Sequence, residues 1–440
     1  MTLRIDAPAF LAVVYAIAAA LALYLLARRG RRRLLAGVLA AVGGALLGWL
    51  LVWLLDDVFD VFGVGLTPTT TAWVAAGVAG VALAVANLVG SRWWRKVVAI
   101  ASIPLFVLAA FAGVNVDFGA YRDLDDALGV VPYRGLDLHH ERGEVVAGRD
   151  WTQAAAVPAG DPSAGPSADP AGDPPAKGEV GTVRIPGVRS HFPAREAVVY
   201  LPPVALGANP PVLPVMYAFS GQPGAPSDMF TAGRVAQVMD AFARTHRGYA
   251  PIVVAADQLG GPGRNPMCVD SRAGGNAATY LLTDVRQWIT SHLRVSSDPA
   301  AWSVFGYSEG ATCAVQFATG HPELFGSALA SSSELGPTLG DERTTIASGF
   351  GGSRAAYEAA QPAAQMAAHT PYRDSLVIFG VGQNDARYLA YARTLHADAE
   401  KAGMRTELLV SPGSAHDWNT VRYTLRNGFP AIAAHLGLGS

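Results

Sequence analysis

The sequence predicts a membrane-spanning bundle of four helices, followed by an α/β domain with a mostly parallel sheet and helices on both faces. Three observations lead to this fold class. Four uncharged apolar stretches occupy the first 116 residues, a segment rich in Pro, Ala and Gly follows, and short apolar runs alternate with helical patterns from about residue 179. The predicted organisation is therefore an anchor over residues 1–116, a polar segment and linker over 117–178, and a domain over 179–440.

The chain has few charged residues for its length. Of its 440 residues, 15% are charged and 51% are hydrophobic, and the mean hydropathy is +0.25, whereas roughly 25% charged residues are usual in a globular protein. Residues 1–116 hold nine basic and four acidic side chains, a net charge of +5. Because the whole chain has a net charge of −2, residues 117–440 carry a net charge of −7. A net-acidic remainder argues against a nucleic-acid partner.

Each uncharged stretch is long enough to cross a bilayer, which takes about 20 helical residues. The four stretches cover residues 8–27, 34–55, 72–90 and 97–116. None contains Asp, Glu, Lys, Arg or His. A transporter or proton relay needs such groups inside its bundle, so the composition favours an anchor.

The charges in the loops predict the orientation of the anchor. The first stretch is followed by Arg28, Arg29, Arg31, Arg32 and Arg33, and the third is followed by Arg92, Arg95 and Lys96. The second stretch is followed by Asp56, Asp57 and Asp60, with no basic residue. Loops rich in Lys and Arg stay in the cytoplasm. The sequence therefore predicts a multi-pass protein of the plasma membrane, with both termini and the large domain on the extracytoplasmic side.

The segment between the anchor and the domain is polar and then rich in proline. Residues 154–178 are Ala, Pro, Gly, Asp and Ser apart from Val157 and Lys177, which predicts an extended, semi-rigid stalk. Before the stalk, His139, His140 and Glu141 are adjacent. Neighbouring residues point in different directions, so a solvated loop is favoured there over a metal site. We predict no metal and no cofactor.

Seven short apolar runs after residue 179 predict strands, and three stretches between them predict helices. The strands are expected at 197–203, 212–219, 251–257, 301–308, 327–333, 375–382 and 406–412, and the helices at 279–293, 310–319 and 388–402. In a parallel sheet of this kind, functional residues collect at the carboxyl ends of the strands.

A candidate nucleophile follows the fourth predicted strand. Gly306-Tyr307-Ser308-Glu309-Gly310 is a G-x-S-x-G sequence between the run AWSVF and a helical stretch. In a nucleophile elbow, small flanking residues allow a tight strand-to-helix turn that exposes the serine Oγ. The strand before the motif and the helix after it favour the elbow over a glycine-rich turn with a surface serine.

A nucleophilic serine needs a base and an acid that orients the base, and in elbow-containing folds the chain order is Ser, Asp or Glu, His. Asp385 and His416 follow the last two predicted strands in this order. Asp374 and Asp417 are the alternatives for the acid. The other candidate histidines, His321, His369, His396 and His435, lie in helical or terminal surroundings.

The alkoxide of an acyl-transfer intermediate needs two N–H donors. The backbone N–H of Glu309, directly after the nucleophile, is the first candidate. The loop Ala218-Phe219-Ser220-Gly221-Gln222-Pro223-Gly224 follows an earlier strand, and the N–H of Gln222 is the second candidate. An ordinary tight turn is the alternative for this loop.

These motifs resemble the putative-esterase branch of the α/β-hydrolases, which includes esterase D, feruloyl esterases and actinobacterial mycolyltransferases. The resemblance covers about residues 180–438 and rests on the order YLPP, SGQPGxPxD, GYSEGA, HPELF, GxxND and HxW. It implies an α/β-hydrolase fold, a triad of Ser308, Asp385 and His416, and an oxyanion donor after the Ser-Gly pair. At Ser220 and Ala311 the sequence departs from the usual pattern of this family. These departures concern the fit of the substrate. The architecture also resembles actinobacterial membrane esterases and aminoacyl-phospholipid hydrolases.

The chain has two cysteines, Cys268 and Cys313, both in the part predicted to lie outside the cell. Exported chains keep disulfides. A bridge between the loop after the strand PIVVAAD and the nucleophile helix is therefore expected, and two buried free thiols are the alternative.

The sequence thus predicts a membrane-anchored serine esterase or acyltransferase, which forms an acyl-Ser308 intermediate. Its expected partners are the lipid bilayer and an ester substrate of the envelope or of lipids. An aminoacyl-phospholipid hydrolase and a non-catalytic hydrolase-like module that supports a membrane partner are the alternatives. The sequence does not choose between water and an alcohol as the acyl acceptor, or predict an oligomeric state.

Overall fold

The computed structural model describes residues 3–61, 63–130, 132–136, 138, 144–146, 175–207 and 209–439. His139, His140, Glu141 and most of the predicted stalk lie outside the described residues. The chain divides into two compact units. The first comprises Met1–Val131 with Ala415–Asn419, and the second comprises Pro132–Ser414 with Thr420–Ser440.

The first unit is built from four long helices, each long and apolar enough to cross a membrane. They are α1 (Pro8–Leu26), α2 (Arg31–Trp53, continued by a π-helical turn at Leu54–Val58), α3 (Pro68–Ala86) and α4 (Trp93–Phe118). A short helix, α5 (Leu124–Ala127), follows. The helices α2 and α4 begin three to four residues before the predicted apolar stretches, because their first turns include basic residues. The helix α3 starts earlier than predicted because Thr67 caps it and Pro68 is its first residue.

Small residues let the helices of the first unit approach one another closely. A Cβ on Gly44 would lie 2.7 Å from the Cβ of Ala82, and one on Gly48 would lie 2.8 Å from the Cα of Ala75. This G-x-x-x-G face of α2 is therefore used inside the chain, against α3. The same kind of contact occurs at Gly80, where an added Cβ would lie 2.5 Å from the ring of Phe106 on α4.

The second unit is organised by one eight-stranded sheet. Its strands are β2 (Glu179–Val183), β3 (Ala197–Leu201), β4 (Val215–Phe219), β5 (Ile252–Ala255), β9 (Trp302–Tyr307), β10 (Ser327–Ser331), β11 (Leu376–Gly382) and β12 (Arg405–Ser411). Four further short strands form two separate two-stranded sheets: β1 (Glu144–Val146) with β8 (Arg294–Ser296), and β6 (Asp270–Ser271) with β7 (Gly275–Asn276).

The order of strands in the main sheet is β12-β11-β10-β9-β4-β5-β3-β2. The six strands from β12 to β5 are parallel, whereas β3 pairs antiparallel with β5 and with β2. All seven strands predicted from the sequence are present within a few residues of the expected bounds. The carboxyl ends of the six parallel strands lie at one edge of the sheet, and this edge carries the candidate site.

Helices and short helical turns join the strands. They are α6 (Asp228–Thr231), α7 (Val235–Thr245), α8 (Ala277–Thr279), α9 (Arg286–His292), α10 (Glu309–Gly320), α11 (Glu342–Gly349), α12 (Arg354–Ala359), α13 (Pro362–His369), α14 (Ala386–Lys401) and α15 (Trp418–His435). The predicted helix at 279–293 is interrupted by a π-helical segment, Tyr280–Val285. The core of this unit is made of large side chains with almost no exposure, including Trp302, Tyr217, Phe219, Phe305 and Phe325. Burial of such side chains contributes about 1.5–3 kcal/mol each to folding.

Candidate active site

Ser308 lies in a sharp turn between β9 and α10. Its φ of 55° and ψ of −119° are rare for a residue with a Cβ and strain the backbone. Both glycines of the motif are required by space, because a Cβ on Gly306 would lie 2.0 Å from the carbonyl oxygen of Gly310. A Cβ on Gly310 would lie 2.4 Å from the carbonyl oxygen of Ser220. The local geometry is that of a nucleophile elbow.

Backbone hydrogen bonds hold this turn in place. The N–H of Ser308 donates to the carbonyl of Ser331, at the end of β10, over 2.9 Å, and the N–H of Thr312 donates to the carbonyl of Ser308 over 3.0 Å. The Ser308 residue is half-buried, whereas its neighbours on both sides are buried. The strained conformation persists because a neighbouring strand and the first helical turn both stabilise it.

The loop after β4 lies against the nucleophile. A Cβ on Gly221 would be 3.4 Å from the Cβ of Ser308 and 3.1 Å from the ring of Tyr307. Glycine keeps this approach unstrained, because a Cβ 3.1 Å from the ring would be tighter than ordinary van der Waals contact. The next residue, Gln222, precedes Pro223 through a cis peptide bond. The carboxylate of Asp228 accepts a hydrogen bond from the N–H of Ala225 over 2.8 Å and so fixes the end of the loop.

Asp385 follows β11 and begins α14. The residue is 3% exposed, and its Oδ1 accepts a hydrogen bond from the N–H of Tyr388 over 3.4 Å. The two residues before it are tied to the end of β12 and its following loop, since Gln383 N–H donates to Ser411 O and Asn384 N–H to Ser414 O, each over 2.9 Å. The Asp385 loop and the loop that leads toward His416 are thus hydrogen-bonded to each other.

His416 follows β12 and is 5% exposed. It lies in the segment Ala415–Asn419, which groups with the first unit. The neighbouring Asp417 uses its Oδ2 to accept the N–H of Ala415 over 2.8 Å, so this carboxylate stabilises its own loop. The other alternative acid, Asp374, lies before β11, at the opposite edge of the sheet, and its side chain is 65% exposed. This exposure and this position argue against Asp374 as the acid.

A buried acid, Glu309, directly follows the nucleophile. Its residue is 5% exposed, and burial raises the pKa of its carboxyl to about 8. The amide of Gln258, which follows β5, donates to Oε2 of Glu309 over 3.1 Å and to the carbonyl of Ser220 over 2.6 Å. On the other side of the carboxyl, Oε1 lies 3.2 Å from the Sγ of Cys313 and 3.9 Å from the Sγ of Cys268.

The two cysteines form a disulfide, with 5.6 Å between their Cα atoms. The bridge joins the loop after β5 to the nucleophile helix α10. Together with Glu309, the two sulfur atoms have the spacing of a metal-ligand group. Because the sulfur atoms are bonded to each other, they offer no thiolate, and thiolate is the form in which cysteine binds a metal.

Sequence reasoning missed three polar residues at this edge of the sheet. They are Asp257, whose carboxylate forms a 2.7 Å ion pair with Arg195, Gln258, and Glu334, which hydrogen-bonds the hydroxyl of Thr312 on α10. Each follows a parallel strand, β5 or β10. A systematic search of the last residue of every predicted strand and of the residues that follow it would have found them.

A protein-family model described as "Putative esterase" matches residues 194–432. This range contains every strand of the main sheet except β2. It also contains all of the candidate triad and oxyanion residues.

An uncharacterized protein of Corynebacterium glutamicum is 38% identical over 256 residues, which are 57% of this chain and 59% of that protein. The chain thus matches less than two thirds of this relative's length.

Two solved structures have a TM-score of 0.50 to this chain. A ferulic acid esterase is 18% identical to this chain, and the alignment covers 59% of this chain and 98% of the esterase structure. An S-formylglutathione hydrolase from Agrobacterium tumefaciens is 17% identical, and the alignment covers 60% of this chain and 97% of the hydrolase structure. These likenesses confirm the predicted α/β-hydrolase fold.

Proposed function

The chain belongs to the esterase family, and from this premise we propose that Ser308, Asp385 and His416 form its catalytic triad. The observation that carries the proposal is the strained turn at Ser308, with the loop of Gly221 packed against it. The family membership supports a serine ester hydrolase. The proposal adds which residues act and by which route.

In the proposed mechanism, Ser308 Oγ attacks the ester carbonyl while His416 accepts the hydroxyl proton, and Asp385 stabilises the imidazolium. The tetrahedral oxyanion accepts hydrogen bonds from the backbone N–H groups of Glu309 and Gln222. Among the described residues, neither N–H group donates to an acceptor of the protein. His416 then protonates the leaving alcohol, which leaves an acyl-Ser308 ester. Water or an alcohol attacks this ester in the second half of the reaction, with the same residues in reversed roles.

We further propose that the helices α1 to α4 anchor the enzyme in the plasma membrane, with the esterase unit outside. Two observations support this location. The loops after α1 and α3 are basic, whereas the loop after α2 is acidic. The esterase unit also contains the Cys268–Cys313 disulfide, which persists in an oxidising environment. An enzyme held at a membrane surface has ready access to esters of lipids and of the cell envelope, which we propose as its substrates.

The test is turnover of a short-chain aryl ester by the full-length protein in membranes. Replacement of the nucleophile, Ser308→Ala, should lower kcat by a factor of about 10⁴ or more, because removal of a triad serine leaves only binding and oxyanion stabilisation. The same variant should no longer be labelled by a fluorophosphonate. The control is Ser291→Ala, at an exposed serine of α9, which should keep wild-type turnover and labelling.

Undiminished turnover in Ser308→Ala would overturn the assignment of the nucleophile. A wild-type protein that neither turns over the ester nor takes the label would favour the non-catalytic alternative. Comparative profiling of lipids and envelope esters, in strains with wild-type or Ser308→Ala protein, then identifies the acyl group and the acceptor. An aminoacyl-phospholipid hydrolase predicts that aminoacylated phospholipid accumulates in the variant strain.

A further inference from the structure

One buried amide connects the two elements that carry the proposed oxyanion donors. The Gln258 side chain has no solvent exposure. Its Nε2 donates to the carbonyl of Ser220 over 2.6 Å, on the loop that leads to Gln222, and to Oε2 of Glu309 over 3.1 Å, on the first turn of α10. The two acceptors are thus bridged through a single nitrogen atom.

The two bridged residues lie next to the proposed donors in the chain. The N–H of Gln222 is two residues after Ser220, and Glu309 carries both the second N–H and the carboxyl that Gln258 contacts. Gly310 packs on the same loop, since a Cβ there would lie 2.4 Å from Ser220 O. The Gln258 bridge therefore links the two segments that carry the proposed N–H donors.

We propose that Gln258 and Glu309 are positioning residues, which hold the loop of Gln222 and the start of the nucleophile helix at the separation that an oxyanion requires. The inference rests on the proposed function. It assigns to the Glu309 side chain a role apart from that of its backbone N–H. No part of this role requires either side chain to touch the substrate.

The surroundings of the Glu309 carboxyl favour its neutral form. The charged groups that act on it are two further carboxylates, Glu334 on the loop after β10 and Asp257 on the loop after β5, and both oppose ionisation. The Gln258 amide donates to the carboxyl and by itself lowers its pKa, and the disulfide sulfur atoms lie on the other side of the carboxyl. Burial, the largest contribution, raises the pKa of Glu309 to about 8.

In the neutral form, Oε2 accepts from Gln258 and the acid proton on Oε1 can face the Cys313 sulfur, 3.2 Å away. Above about pH 8 the carboxyl loses this proton, and a charge then lies between sulfur lone pairs and two other carboxylates. Ionisation therefore disfavours the packing of Oε1 against the disulfide at the start of the helix, although the hydrogen bond from Gln258 favours the charged form.

The same proton makes folding depend on pH. The folded-state pKa of Glu309 is raised above the ordinary value of 4.5, so the folded chain binds more protons than the unfolded chain between about pH 4.5 and pH 8. The contribution of the Glu309 carboxyl to the free energy of unfolding is therefore largest below pH 4.5 and declines as the pH rises to about 8.

The experiment compares kcat and KM of full-length variants on an aryl ester between pH 6 and pH 9.5. Gln258→Leu removes both hydrogen bonds and should lower kcat about 10-fold to 100-fold with little change in KM, because misplaced donors weaken transition-state binding. The matched control is Gln316→Leu, at another buried glutamine of the same unit, whose Nε2 donates to Met267 O over 3.4 Å. Its kcat should stay near the wild-type value.

The pH profile separates a positioning role from a structural one. The wild-type kcat should fall above about pH 8, whereas Glu309→Gln, which cannot ionise, should lose this alkaline decline. Glu309→Leu, which cannot accept from Gln258, should resemble Gln258→Leu. A Gln258→Leu variant with wild-type kcat, or an alkaline decline that persists in Glu309→Gln, would overturn the proposal.

An infrared measurement tests Glu309 without any turnover. The wild-type protein at pH 7 should show the carbonyl band of a protonated carboxylic acid, which Glu309→Gln should lack. Absence of this band from the wild type would contradict the neutral acid. If the wild type shows the band but neither turns over the ester nor labels at Ser308, the proposed function fails while the neutral acid stands.

Discussion

The two units of the molecule place the same kind of side chain in opposite environments. Among the described residues, nearly all exposed large hydrophobic side chains belong to the first unit, and Val188 and Leu335 are the two that belong to the second. Leu46 on α2, for example, is 63% exposed, whereas Phe305 and Trp302 on β9 are fully buried. The surface of the first unit is thus suited to lipid, and that of the second to water.

The two units also differ in how their interiors are packed. In the first, glycines such as Gly44 and Gly80 bring helix backbones and rings into contact. In the second, large aromatic side chains fill the space between sheet and helices. Different forces therefore hold the two units together. Lipid tails are as apolar as the side chains, so helices in a bilayer associate through close contact, whereas a water-soluble core gains by removing large apolar surfaces from water.

Loss of the disulfide in the second unit should destabilise the protein most. The bridge between Cys268 and Cys313 closes a loop of 45 residues, and its loss in the Cys268→Ser/Cys313→Ser variant should lower the unfolding free energy of this unit by about 4 kcal/mol. Urea unfolding in detergent micelles measures it through the near-ultraviolet signal, while the helical signal of α1 to α4 should stay. Equal urea midpoints for the wild type with and without reductant would contradict this expectation.

An intermediate effect tests which solvent surrounds each unit. Leu46→Arg places a charge on the exposed face of α2 and should cost about 3 kcal/mol if lipid covers this face. Val188→Arg, at a residue 69% exposed in the second unit, should change stability by less than about 0.5 kcal/mol, because water covers it. The measurements are membrane insertion of the α2 segment and thermal unfolding of the esterase unit. Equal tolerance of both substitutions would contradict the expectation that lipid covers Leu46 and water covers Val188.

The smallest effect concerns helix caps in the two units. Thr67 caps α3 through a 3.0 Å hydrogen bond from Thr70 N–H and also donates to Asp117, and Ser353 caps α12 through a 3.2 Å bond from Ala356 N–H. Thr67→Ala should cost about 1–2 kcal/mol and Ser353→Ala about 0.5–1 kcal/mol. Thr67 is buried, whereas water can replace the exposed Ser353 hydroxyl. Thermal unfolding measures both, and a larger cost at Ser353 would reverse the ranking.

Much of the fold was predictable because its signals are local. Runs such as AWSVF are continuous and apolar since their strands are buried on both faces, and the elbow glycines are needed within five residues of one another. The helix α15 was not predicted, because Gly428 and Pro430 lie inside it. Packing explains the glycine: a Cβ on Gly428 would lie 2.6 Å from Cδ1 of Leu329 on β10.

The site was predictable only in part, for a similar reason. Ser308 is marked by a local motif, and the positions of Asp385 and His416 after consecutive strands follow from the topology of a parallel sheet. Gln258 has no such mark. It hydrogen-bonds residues 38 and 51 positions away in the chain. No local sequence motif marks a contact between residues so far apart.

By itself, the sequence determined that an apolar four-helix region precedes an α/β-hydrolase domain with a serine elbow, because these properties depend on the composition and spacing of neighbouring residues. Tertiary structure alone decided which groups surround the nucleophile. The burial of Glu309, the bridge made by Gln258 and the fit of Gly221 beside Ser308 all arise where separate strands end at one edge of a sheet. Burial and close contact are properties of the folded chain, and they set the pKa values and hydrogen bonds on which the proposed chemistry depends.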